Sequence, residues 1–256
     1  MPQSEDGHAI HELSTVIGVT FVSVDQMREV DRLMTEEVGI SLPQMMENAG
    51  RCLATHARSM LGGSAHGRQV VVLAGRGGNG GGGLAAARRL FGWGAAVTVV
   101  LAQSRDEMRG VPRQQLTVLE WIGIPVRVVA DGVSDLFTRA DLVIDALIGY
   151  SLRGAPTGVV AALIQAANAS GRPLLALDLP SGLDGDSGEA SDPAIRAAET
   201  LTLALPKRGL LAPAARPWVG QLHLADISVP EKVYRRLGLT VGPIFAENDI
   251  IPIGLA

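Results

Sequence analysis

The chain has 256 residues, a formal net charge of −4, 47% apolar and 19% charged side chains. A chain of that length buries a sizeable core in one domain, and that composition excludes intrinsic disorder. The mild acidity with dispersed arginines argues against a nucleic-acid partner. The apolar runs are strand-length, so no membrane-spanning helix is expected. The opening, Met1-Pro-Gln-Ser-Glu-Asp6, is acidic and polar, unlike a secretory leader. One cysteine, Cys52, leaves no internal disulfide framework and fits a reducing cytoplasm; it is expected to be a buried spectator thiol.

Residues 1–20 show no periodicity and are expected to form a loose arm. Residues 21–241 read as a single domain, and 242–256 as a loosely packed tail. Ser23-Val-Asp-Gln26 is a capping box that starts a helix. Met27, Val30, Met34 and Val38 then recur at helical spacing, with Gly39 as the stop. Asp31 lies beside that apolar stripe, where capping or structural pairing is favoured over a site role. A second helix is expected from Pro43 to Met60, carrying His56 as a packed or solvated residue.

From Gln69 the rhythm becomes regular. Strands are expected at Val70–Ala74, Ala96–Leu101, Val126–Val129, Leu142–Ala146, Leu174–Leu179, Thr200–Leu205 and Gln221–Ile227. Helices are expected between them at Leu84–Phe91, about Asp106–Ile122 and Gly158–Ala169, with a short one after Pro230. Such alternation predicts an α/β fold, a mainly parallel central sheet wrapped by helices on both faces. Right-handed crossovers then put every loop that follows a strand on one edge of the sheet.

The densest signal is Gly75-Arg-Gly-Gly-Asn-Gly-Gly-Gly-Gly83, between the strand Val70–Ala74 and the helix from Leu84. A strand, a glycine turn and a helix N-terminus aim backbone N–H groups and a positive dipole end at one point, which favours phosphate. Two further strand ends join it: Asp145, closing Leu142-Val-Ile-Asp145, and Leu177-Asp-Leu-Pro-Ser-Gly-Leu-Asp184, with Asp178 and Ser181. Ligands in open α/β sheets sit at such carboxyl ends near the topological switch point. A carboxylate ending an apolar strand costs desolvation energy unless it is paired or holds a cation. Together with Asn79 these residues make an oxygen-rich pocket suited to a hard cation. Lys207, one of two lysines, is either a phosphate contact or a solvated surface residue, and the same alternatives hold for Arg153. The spacing Gly75-Arg-Gly-Gly-Asn-Gly80 matches a dinucleotide fingerprint, but the next strand ends Val99-Val-Leu-Ala-Gln-Ser104 without the acidic residue that would hold a ribose. A hydride-transferring dehydrogenase is therefore disfavoured.

With these residues in view the chain resembles the NAD(P)H-hydrate epimerases, the family of the YjeF N-terminal domain. The resemblance runs from about Ser23 to Pro230. It rests on Met45-Met-Glu-Asn-Ala-Gly50, Gly75–Gly83, Asp141-Leu-Val-Ile-Asp-Ala-Leu-Ile-Gly149, Leu177–Asp184, Leu205-Pro-Lys-Arg-Gly-Leu210 and Ala225-Asp-Ile227. It implies a Rossmann-like three-layer α/β/α sandwich, a homodimer, and epimerisation of the R and S forms of hydrated NADH or NADPH (NADHX, NADPHX). A partner NAD(P)H-hydrate dehydratase, often fused downstream in that family, is expected to be a separate protein here. The resemblance further implies a potassium ion on Asn79, Asp145 and Ser181. Substrate contacts are implied from Gly78, Asn79, Gly80, Gly81 and Gly82, from Gly149, Tyr150, Ser151, Leu152, Arg153, Gly154 and Ala155, and from Asp178. Asp178 is the expected acid/base group.

The family loop reads Gly-x-Gly-Asn-Asn-Gly-Gly-Asp-Gly, whereas here the first Asn is Gly78 and the Asp is Gly82. Those changes remove a carboxylate and an amide from the loop. They leave a second reading open, a catalytically silent nucleotide-binding or scaffold module on the same fold.

Overall fold

The computed structural model describes residues 19–129, 135, 137–151 and 154–254. Among these residues eight strands form one sheet, in the spatial order β3-β2-β1-β4-β5-β6-β7-β8. The strands are β1 (Gln69–Ala74), β2 (Ala96–Leu101), β3 (Val126–Val128), β4 (Leu142–Ala146), β5 (Leu174–Leu177), β6 (Glu199–Leu203), β7 (Gln221–Ala225) and β8 (Ile250–Ile253). Every pairing is parallel except β7–β8. The chain builds outward from β1 in one direction through β3 and then restarts on its other side with β4. The switch point therefore falls between β1 and β4.

Apolar side chains line both faces of β1, as a parallel strand under two helical layers requires. Val70, Val72 and Ala74 pack with Cys52, Leu53 and Leu84 from α2 (Leu42–Met60) and α3 (Gly78–Gly92). The alternate residues Val71 and Leu73 pack on the opposite face with Leu163, Ile164 and Ala167 of α5 (Gly158–Ala169). α4 (Gly110–Trp121) joins the first layer through Leu116 and Leu119. Two short helices, α6 (Arg216–Val219) and α7 (Glu231–Arg236), flank β7. Each fully buried Leu or Val contributes roughly 1.5–3 kcal/mol relative to exposure, so the three-layer arrangement is secured by this alternation.

At the front of the chain, the capping box forms as expected. Ser23 N–H donates to Gln26 Oε1 at 2.9 Å, and Gln26 N–H donates to Ser23 Oγ at 3.1 Å. α1 (Val24–Arg32) buries Met27 and Val30, and Gly39 ends the helical segment at φ +83°. Val38, expected on the buried stripe, is 44% exposed. The last stretch, Leu33–Val38, is π-helical, and the wider turn rotates Val38 off the stripe.

Two expectations need correction. The glycine stretch is not a loop up to Leu84, because α3 already begins at Gly78. The segment from Gly242 is not a loose tail. It carries β8, which pairs antiparallel with β7 from Leu222↔Ile253 to Ala225↔Ile250, with Ile253 buried. Pro252 falls in this outermost strand, the position in a sheet that tolerates it. Of the proposed arm, residues 1–18 lie outside the described residues.

Candidate active site at the switch point

At the carboxyl edge of the sheet, beside the switch point, lies a cleft of about 770 Å³. Its floor is the turn from β1 into α3. Gly75 N–H donates to Ala146 O at 3.0 Å, tying that turn to β4. A side chain at Gly80 would put its Cβ 1.7 Å from Gly75 O, so only glycine closes the turn. The first α3 hydrogen bond runs from Gly81 N–H to Gly77 O at 3.1 Å. The N–H groups of Gly78, Asn79 and Gly80 precede it and have no acceptor within the helix, so they point out of its positive end. Arg76 lines the cleft beside them.

One wall is apolar: Met27 from α1 with Met45, Met46 and Ala49 from α2. The charged side of the site comes from Asp31, Asp178 and Lys207. Asp178, directly after β5, has φ +67°, a conformation that Asp adopts more readily than most residues, and its N–H donates to Leu201 O at 2.8 Å. Its carboxylate accepts from Leu203 N–H at 3.3 Å and from the Lys207 ammonium in a buried ion pair. Lys207 is 1% exposed and also donates to Leu203 O at 3.0 Å, which excludes the solvated reading of this residue. Its ammonium lies 5.9 Å from the Tyr150 ring centroid. The Tyr150 hydroxyl donates to Asp31, and burial raises Asp31 above the ordinary carboxylate range despite that bond. Asp31 therefore pairs, as expected, but it does so in the cleft.

The third carboxylate is unlike the other two. Asp145 is fully buried, and its partners are all neutral: Ser181 N–H at 2.8 Å, Ser181 Oγ at 2.7 Å and Leu147 N–H at 3.2 Å. Burial outweighs these bonds and pushes Asp145 up to about 6. Ser181 Oγ also accepts from Ile148 N–H at 2.9 Å. Asn79 donates through Nδ2 to Leu177 O at 2.7 Å and turns its Oδ1 toward Gly149, where a Cβ would stand 2.7 Å away. Asn79 and Ser181 thus converge on one turn, residues 145–149, that Asp145 opens.

Of the expected substrate contacts, Gly78, Asn79, Gly149, Tyr150, Ser151 and Asp178 line the cleft. Leu152 and Arg153 lie outside the described residues. Gly154 and Ala155 are not among the lining residues, nor are Gly80, Gly81 and Gly82. Those three glycines are buried inside α3, where Gly81 meets Met46 and Gly82 faces Leu177 and Ala49. The departure at Gly82 therefore sits in helix packing, with no direct opening to the cleft. Cys52 is buried as expected, and burial pushes its thiol up to about 11. Sequence reading gave no sign that Lys207 pairs with Asp178; a lysine just after a strand was the only signal.

Fold and cleft together define a doubly wound α/β protein whose candidate site combines a helix N-terminus, an apolar wall and a buried ion pair. Residues 42–209 match the family model described as YjeF-related protein N-terminus, and the chain belongs to that family. It is 49% identical to the NAD(P)H-hydrate epimerase of Dehalogenimonas lykanthroporepellens, over 86% of this chain and 87% of that protein. It is 32% identical to the NAD(P)H-hydrate epimerase of Rhodopirellula baltica, over 89% and 92%. The match to the bifunctional NAD(P)H-hydrate repair enzyme Nnr of Moorella thermoacetica is 36% identical and spans 83% of this chain but 41% of that protein. The crystal structure of yeast ynu0, YNL200c, has the same fold, with a TM-score of 0.79 at 24% identity, covering 92% of this chain and all of that one.

Proposed function

We propose that this chain is an NAD(P)H-hydrate epimerase, interconverting the R and S forms of hydrated NADH or NADPH. The observation that carries this reading is the convergence of three features in one cleft: the α3 N-terminus, an apolar wall and the Asp178–Lys207 pair. The N–H groups of Gly78 and Asn79 at the α3 N-terminus, with Arg76, suit a dinucleotide's diphosphate. Met27, Met45 and Met46 suit a flat, uncharged ring. Inverting a carbon that carries a hydroxyl breaks and remakes a bond there, and one proton must be delivered and one withdrawn. Asp178 and Lys207, held against each other at the cleft wall, offer an acceptor and a donor for those transfers.

Asn79, Asp145 and Ser181 would hold a potassium ion. Support comes from Asp145, a fully buried carboxylate whose partners among the described residues are all neutral. A hard monovalent cation would supply fixed positive charge beside the glycine turn. The family resemblance also supports a homodimer in the cytoplasm, acting beside a separate dehydratase; sedimentation of the purified chain tests the dimer.

The deciding assay gives purified protein the R hydrate of NADPH together with a stereospecific dehydratase. Acceleration over spontaneous epimerisation is expected, and its absence overturns the reading. Asp178→Asn should lower kcat at least about 100-fold with little change in KM.

A further inference from the structure

The face of the sheet that α2 covers carries a second cluster of ionisable groups, at the other end of β6. Leu201 of β6 and Ala225 of β7 pack into the same core as Cys52 and Ala57 of α2. Side chains alternate along a strand, so Glu199 and His223 also point toward α2, and His56 of α2 meets them. His56 Nε2 lies 2.7 Å from Glu199 Oε2, and His223 Nδ1 lies 3.5 Å from the same oxygen. The three donor atoms all fall within 4.8 Å of one another, and the two ring centroids are 4.3 Å apart. His223 Nδ1 is buried and has no hydrogen-bond partner among the described residues. One histidine bonded to Glu199 would be enough to dock α2 on the sheet; a second imidazole with an orphaned nitrogen needs another explanation.

We propose that His56, Glu199 and His223 form a binding site for a borderline divalent metal ion of the zinc class, separate from the cleft. Two imidazoles and one carboxylate suit Zn²⁺, Co²⁺ or Ni²⁺ and not Mg²⁺ or Ca²⁺, which prefer all-oxygen sets. Tetrahedral bonds of about 2.1 Å place neighbouring ligand atoms about 3.4 Å apart. The His223–Glu199 separation already has that value, and the His56–Glu199 contact needs to open by about 0.7 Å. The Glu199 and His223 side chains are 21% and 17% exposed, which gives the ion an entry path and a water as fourth ligand. Burial lowers His56 to about 4 and lowers His223 as well, so both rings are in the neutral form that binds metals.

The site is structural in its consequence. Glu199 stands four residues from Leu203, about 13 Å along β6 from the cleft, while α2 spans both places, with Met45, Met46 and Ala49 at the cleft and His56 at the cluster. An ion there fastens α2 to β6 and β7 and so holds the apolar wall.

The test uses the tag-free full chain, titrated with Zn²⁺ by calorimetry and with Co²⁺ by visible absorption. One ion per chain and d–d bands of four-coordinate Co²⁺ are expected. His223→Gln and Glu199→Gln should each weaken Zn²⁺ binding by about 100-fold or more, and His66→Gln, outside the cluster, should not. If either cluster variant fails to fold, the wild-type Co²⁺ spectrum decides alone. Absence of stoichiometric binding, or an affinity unmoved by both cluster substitutions, overturns the proposal. None of these readouts depends on epimerase activity.

Discussion

Asp145 and Asp178 end neighbouring strands of one sheet and are both buried, yet they are stabilised in opposite ways. Asp178 has a resident cation in Lys207. Among the described residues Asp145 has only amide and hydroxyl donors, and burial holds it well above the usual carboxylate range. A carboxylate balanced by a fixed lysine depends only on the protein. One balanced by neutral donors is incomplete without something from solution, whether a proton or a cation. The proposed proton-transfer role of Asp178 and the proposed potassium site at Asp145 both rest on this difference.

The harshest way to break the contrast is to take the resident cation from Asp178. Lys207→Met should cost about 3–5 kcal/mol in urea unfolding, because it leaves a buried carboxylate uncompensated. Adding Asp178→Asn to it should restore most of that stability while leaving the protein inactive. The second effect concerns pH. A folded-state value near 6 for Asp145, against an unfolded value of about 3.9, means the folded chain holds this proton more tightly. Its contribution favours the fold below about pH 4, is lost between about pH 4 and 6, and stays absent above. In potassium-free buffer this amounts to up to about 3 kcal/mol. Subtracting the profile of Asp145→Asn from that of the wild type isolates it, and saturating potassium should flatten it. Ser181→Ala comes next. It removes the 2.7 Å donor to Asp145 and should destabilise by about 1–3 kcal/mol, more with potassium than in potassium-free buffer, because a lost ligand also weakens the ion's binding. The smallest effect expected is Tyr150→Phe, about 1 kcal/mol, since Asp31 loses one neutral donor.

What the sequence disclosed follows from the range of the forces involved. β2 and β4 occupy their expected spans because an unbroken apolar run between polar breaks is a local signal. The glycine run was legible as a tight turn, but its helical continuation was not. Glycine has poor helix propensity, and only packing against Met46, Ala49 and Leu177 shows why small residues are wanted there. β8 escaped notice because it is four residues long, contains Pro252, and takes its stability from β7. Asp145 and Asp178 were recognisable as strand-end carboxylates, with Asn79 in the glycine stretch and Ser181 in the turn beyond Asp178. The Lys207 contact spans 29 positions and the Tyr150–Asp31 contact 119, and no local pattern encodes pairings of that reach. The histidine cluster gave still less warning, since its members come from a helix and two strands brought together only by sheet order.

The outermost strand has a consequence for life in a crowded solution. Pro252 contributes no amide hydrogen to β8, so a foreign strand approaching that border would find its ladder interrupted midway. Reversed in direction and broken by an imino acid, this margin discourages neighbouring molecules from zipping together into fibrils.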